Sequence, residues 1–117
     1  MKNLTTFNQL QEQFQIKDFV EKTIFQINKD FLGLHCGFLV LNIEESDNVL
    51  EDTVAQLIPI LKQLTKKSQL QQYIYQVDLK EKQWMAFLTS QNYKILSEQI
   101  IIREAQKVFL REMFKNY

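Results

Sequence analysis

The chain has few of the residues that crosslink, bind metals or break helices: one cysteine, one histidine, one proline and two glycines among 117 residues. The single Cys36 excludes an intrachain disulfide, and with His35 it leaves too few ligands for an ordinary zinc site. We interpret these two neighbours as packing residues and expect no metal and no other cofactor. The scarcity of glycine and proline favours long helices over a turn-rich β fold.

Net charge and long apolar runs are also lacking. Fourteen basic and fourteen acidic side chains cancel, so no overall field attracts nucleic acid or an anionic membrane. The longest apolar run, residues 31–41, falls short of the roughly 20 residues that span a bilayer. The N-terminal stretch has no continuous apolar segment of the kind found in signal peptides. We therefore expect a cytoplasmic protein that does not associate with membranes.

What the chain does have is apolar residues at helical spacing. They predict an all-α fold, a bundle of five or six helices that forms a single domain over residues 1–117. The predicted helices cover residues 4–14, 19–31, 50–64, 70–77, 84–88 and 93–117. The predicted apolar faces of the last four are Leu50, Val54, Leu57, Ile58, Leu61 and Leu64; Leu70, Tyr73, Ile74 and Val77; Trp84, Phe87 and Leu88; and Ile101, Ile102, Ala105, Val108 and Phe109. The apolar segment 38–43 is ambiguous and is either a short extended segment or a short piece of helix. The aromatic residues Tyr73, Tyr75, Trp84 and Phe87 could line a pocket, but at helical spacing we expect them to belong to the core, with the tyrosine hydroxyls at its rim.

Two sequence patterns are typical of helix N-termini. Asn48 with Glu51, and Asp78 with Glu81, have the spacing of a capping box, in which the first side chain accepts hydrogen bonds from backbone amides. The second pair lies within YIYQVDLKEKQW, residues 73–84. This stretch is therefore interpreted as the joint between two helices. The alternative is an active site that uses Asp78, Glu81 and a tyrosine, and we do not favour it because the cap already accounts for both carboxylates.

Basic residues recur at every fourth position of the last predicted helix, where this spacing places them along one face. We call them the basic ridge: Arg103, Lys107, Arg111 and Lys115. The ridge is a candidate site for an acidic partner, a phosphate or a small anionic ligand, or it is simply a solvated face. Glu104 partly neutralises it, and the zero net charge disfavours nucleic acid. Tyr75 is a further candidate for partner binding.

Two patterns carry a resemblance to known proteins. They are I-Y-Q-V-D-L-x-E, residues 74–81, and I-I-x-R-E-x-Q-K-x-x-x-R, residues 100–111. With them, residues 50–114 resemble small, mainly helical bacterial proteins of uncharacterised function. The typical pattern there is Y-R-I-D-x-x-E, and this chain has Gln76 in place of the arginine. The resemblance implies a helical fold, and it implies no activity and no functional residues.

The composition also indicates a class of function. Nine phenylalanines, four tyrosines and one tryptophan exceed what a domain of this size buries easily. We therefore expect a non-enzymatic interaction or scaffold protein that binds a protein partner or forms a homodimer. The alternative is a regulatory protein that binds nucleic acid or an anionic ligand through the basic ridge.

Overall fold

The computed structural model describes residues 17–32, 34 and 48–114, together with Gln9 and Glu12. Its helices are α1 (Lys17–Leu32), α2 (Val49–Lys66), α3 (Leu70–Val77), α4 (Glu81–Ser90) and α5 (Tyr93–Phe114). No strand occurs among the described residues, and the predicted all-α fold is confirmed. The predicted first helix, apart from Gln9 and Glu12, and the ambiguous segment 38–43 lie outside the described residues. The single domain over the whole chain stays a prediction.

The longest helix, α5, lies at the centre of the bundle and contacts each of the other four helices. Its buried apolar residues are Leu96, Ile100, Ile101, Ala105 and Val108. Around this face, the ring of Phe31 from α1 stacks on Tyr73 from α3 with their centroids 4.2 Å apart. The predicted core residues Ile102 and Phe109 are only half-buried, because the buried face is centred on Ile100 and Glu104.

Helix α2 keeps its helical geometry through Pro59. The predicted apolar face is confirmed at Leu50, Val54, Leu57, Leu61 and Leu64, which are all buried, whereas Ile58 is half-buried. Pro59 is on the exposed side of the helix, so the carbonyl that loses its amide donor there can be hydrated. In the described ranges, no helix combines the length and hydropathy needed to cross a lipid bilayer.

The joint between α3 and α4 corrects the prediction made for Asp78. Its backbone is left-handed, with φ 63° and ψ 49°, and its N–H bonds the carbonyls of Ile74 and Tyr75. Asp78 therefore ends α3, whereas Lys80 occupies the N-cap position of α4 and makes no side-chain capping bond. The predicted capping box was wrong because aspartate tolerates the left-handed conformation and can end a helix as well as begin one.

The other predicted cap is correct in position only. Asn48 occupies the N-cap position of α2, and its carbonyl accepts a hydrogen bond from the N–H of Asp52. Its side chain makes no capping hydrogen bond. The spacing thus located the start of the helix without predicting how its amides are satisfied.

Candidate functional site

The described members of the basic ridge make hydrogen bonds within the chain. Arg103 donates from Nε to the Asp78 carbonyl at 3.0 Å and from Nη2 to the Asp78 carboxylate at 2.9 Å. The ridge residue Lys115 lies outside the described residues. The basic ridge is therefore not only a solvated face, because Arg103 links α5 to the C-terminal end of α3 by hydrogen bonds. Binding of a ligand by these cations stays a prediction.

Three polar contacts also join α5 to α1. Lys22 Nζ donates to Glu112 Oε1 at 2.7 Å, Arg111 Nη2 to Gln26 Oε1 at 2.9 Å, and Lys107 Nζ to Asp30 Oδ2 at 3.2 Å. Residue numbers rise along α1 as they fall along α5, so the two helices run antiparallel. The neighbouring carboxylates Glu112 and Asp18 raise the pKa of Lys22. Lys107 and Arg111 of the predicted site thus help to hold α1 in place.

At one end of this series lies a group that we call the buried carboxyl cluster: Asp30, Tyr73, Glu104 and Lys107. Glu104 has no solvent exposure. Lys107 Nζ lies 2.6 Å from Glu104 Oε1, in an ion-pair contact without hydrogen-bond geometry. The same ammonium donates to Asp30 and to the Gln76 carbonyl, at 3.2 Å each. One cation is therefore shared by two carboxyl groups from different helices.

Burial raises the pKa of Glu104 to about 9, the adjacent Asp30 adds to the rise, and Lys107 opposes it. A simple charge count leads to the same state, because two carboxyls and one ammonium are neutral only when one carboxyl carries a proton. Near neutral pH, Glu104 is thus protonated and can donate a hydrogen bond to Asp30. Burial, together with both carboxyls, also raises the pKa of the Tyr73 hydroxyl well above its usual value.

The sequence reasoning missed this cluster. We treated Glu104 as a surface residue that partly neutralises the basic ridge. We also expected the Tyr73 hydroxyl at the rim of the core, whereas both side chains are fully buried. The available signal was position, since Glu104 lies four residues after Ile100 and four before Val108 on the apolar face. The described residues hold no group of three or more His, Cys, Asp or Glu suited to a metal ion. Because its carboxyl is shielded from solvent, Glu104 can hold a proton and contribute to the contact between α5 and α1, but it cannot contact a substrate in solution.

A second feature is a set of large apolar side chains exposed to solvent. On α1, Phe25 and Leu32 are each 67% exposed, and on α3 the candidate residue Tyr75 is 83% exposed. The remaining members are Met85, Leu88, Ile95 and Leu110. Our prediction that Leu88 belongs to the core was wrong, because its side chain is exposed. On α4 only Phe87 is buried, and Trp84 is half-buried. The exposure of Tyr75 also contradicts our prediction that its ring belongs to the core. Tyr75 is accessible to a partner, and its role in binding stays a prediction.

Neither protein-family models, nor curated proteins, nor solved structures provide a match to this chain.

Proposed function

We propose that the chain is a non-enzymatic helical interaction or scaffold protein that associates with itself. The observation that carries this proposal is the exposure of Phe25 and Leu32, each 67% exposed on the same side of α1. Large apolar side chains grouped on the surface of a soluble domain are typical of protein interaction sites. A cytoplasmic location belongs to the same proposal.

The geometry of α1 supports the idea that these side chains serve binding rather than folding. Residues of the opposite side of the helix, including Ile27 and Phe31, already fill the core and are almost fully buried. Phe25 and Leu32 therefore add little to the stability of the monomer, while they retain apolar surface that an interface would remove from water.

The alternative function, binding of nucleic acid or an anionic ligand through the basic ridge, has less support. Arg103, Lys107 and Arg111 already donate to acceptors within the chain. An anion would have to compete with those acceptors, and for Lys107 it would leave buried carboxyls without their cation. Protein binding requires no such exchange.

Sedimentation equilibrium over a range from micromolar to hundreds of micromolar protein tests the proposal. We expect the weight-average mass to rise with concentration from 14.0 kDa towards twice that value. The rise should persist at moderate salt, because apolar contacts are not screened. A mass of 14.0 kDa at every concentration would contradict self-association.

A further inference from the structure

The outer side of α1 carries a line of exposed residues. We call this line the outer stripe: Asp18, Glu21, Phe25, Lys29 and Leu32. At 3.6 residues per turn, all of them fall within about 40° of Phe25 around the helix axis. Each is exposed, so the stripe is accessible along almost the whole length of α1.

The charges of the outer stripe are arranged about Phe25. Glu21 lies four residues before it and Lys29 four residues after it, which is roughly 6 Å along the axis in each direction. Neither Glu21 nor Lys29 makes an ion pair with any other described residue. Asp18, by contrast, already pairs with Lys22 at 3.1 Å. The stripe thus has an apolar centre with an acidic group on one side and a basic group on the other.

The central part of this stripe, from Glu21 to Lys29, is complementary to itself under a two-fold rotation, whereas Asp18 then lies beside the partner's Leu32 at each end. An axis through Phe25 reverses the helix direction, and it places Glu21 beside the partner's Lys29 and Lys29 beside the partner's Glu21. The two Phe25 rings then meet at the centre, as in an isologous interface. A parallel pairing in register would instead place Glu21 against the partner's Glu21, and like charges in contact weaken association.

We infer that the outer stripe of α1 is the dimer interface, formed by antiparallel pairing with α1 of a second copy about an axis at Phe25. The inference rests on the proposed self-association and assigns its surface and register. The partner is a second copy of the chain, because this one surface supplies both the complementary charges and the apolar centre. Tyr75 is the most exposed of the large apolar residues that the structure describes. One turn before it lie the uncharged Gln71 and Gln72, and one turn after it lies Asp78, whose carboxylate is already paired with Arg103.

Charge exchange tests this register directly. Glu21→Lys leaves a basic group on both sides of Phe25, and Lys29→Glu leaves acidic groups on both sides. Each variant alone should dimerise more weakly by roughly tenfold or more, because both cross-dimer pairs become repulsive. An equimolar mixture of the two should recover the dimer as a heterodimer, and the double variant should recover it as a homodimer. Sedimentation at low salt measures all four cases.

The apolar centre is tested with a matched pair of variants. Phe25→Ala should abolish dimer formation at concentrations where the wild-type chain is dimeric, because two facing rings are lost. Tyr75→Ala, at an equally accessible ring on α3, should leave the dimer unchanged. Circular dichroism should give the same helix content for both, since neither side chain is buried.

The outcomes separate this inference from the proposal on which it rests. A wild-type chain that is monomeric throughout would overturn both. A wild-type dimer that is insensitive to Phe25→Ala and to the single charge variants would overturn the α1 interface and leave self-association standing. If the single charge variants dimerise weakly and their equimolar mixture does not form the heterodimer, the antiparallel register would be overturned. Recovery in the mixture, together with loss in Phe25→Ala, would establish the interface.

Discussion

Each side of α1 departs at two positions from the usual distribution of polar and apolar groups. The outer side holds Phe25 and Leu32 in solvent, while the inner side buries Gln26 and most of Asp30. Buried charges are rare unless they are paired, and here Asp30 meets the ammonium of Lys107. The two departures occur on one helix of 16 residues, so they can be compared in the same local context.

The difference between the two sides separates folding from binding. On the inner side, the polar contacts accept only one placement of α1 on α5, since a shift along the axis would separate Asp30 of α1 from Lys107 of α5. On the outer side, no core contact depends on Phe25 or Leu32. We therefore expect changes on the inner side to alter stability and changes on the outer side to alter association.

The largest effect of removing a charge is expected from Lys107→Ala, which deletes the cation of the buried carboxyl cluster. The buried pair of carboxyls, which carries one negative charge, would remain without a cation, and the free energy of unfolding should fall by about 3 kcal/mol. Urea unfolding measures this change. The control is Lys94→Ala, at an exposed position in the first turn of α5, where we expect less than about 0.5 kcal/mol. Equal effects for the two variants would mean that the cluster contributes nothing to stability.

A pH-dependent effect follows from the pKa of Glu104, which is raised from 4.5 to about 9 in the folded state. Over this interval the folded state binds a proton that the unfolded state has released, so stability decreases as the pH rises. The contribution is fully present below 4.5 and is lost as the pH approaches 9, with a slope of at most about 1.4 kcal/mol per pH unit. Urea unfolding at a series of pH values measures the slope.

Glu104→Gln is the matched variant for this pH dependence. Glutamine keeps the shape and the donor of the protonated acid, but it does not titrate in this range. We expect the variant to match the wild type in acid and to be the more stable of the two in alkali. A wild-type pH profile that is identical to that of Glu104→Gln would contradict the raised pKa.

The helices and most of their core residues were predictable because apolar spacing depends on local sequence alone. For α3, the spacing of Leu70, Tyr73, Ile74 and Val77 predicted the helix and its buried face. The end of that helix was not predictable in the same way. Asp78 is compatible with either helix terminus, and its left-handed conformation is accompanied by a long-range contact with Arg103.

The candidate sites depended still more on tertiary contacts. The basic ridge was read from spacing on α5, but its acceptors come from α1 and α3, far away in the sequence. Glu104 was judged from its neighbours in sequence, whereas its pKa depends on burial and on Asp30 from α1. Exposure of Phe25 could not be separated from burial of Phe31 by composition, because both are phenylalanines on one amphipathic helix.

The smallest effect on monomer stability is expected from Phe25→Ala on the outer side. Phe25 is 67% exposed, whereas Phe31 on the same helix is 2% exposed and stacks on Tyr73. Unfolding is measured at a concentration where the chain is monomeric, so that loss of a dimer does not contribute. Phe25→Ala should then change the free energy of unfolding by less than about 0.5 kcal/mol, since alanine also favours the helix.

The control for this prediction is Phe31→Ala, which should destabilise by about 4 kcal/mol through lost burial and a cavity. The two substitutions remove the same atoms from the same helix, so their difference isolates the surroundings of each ring. If Phe25→Ala costs as much as Phe31→Ala in the monomer, the outer side of α1 takes part in folding. Its apolar residues would then give no reason to infer a partner, and the contrast between the two sides of α1 would be lost.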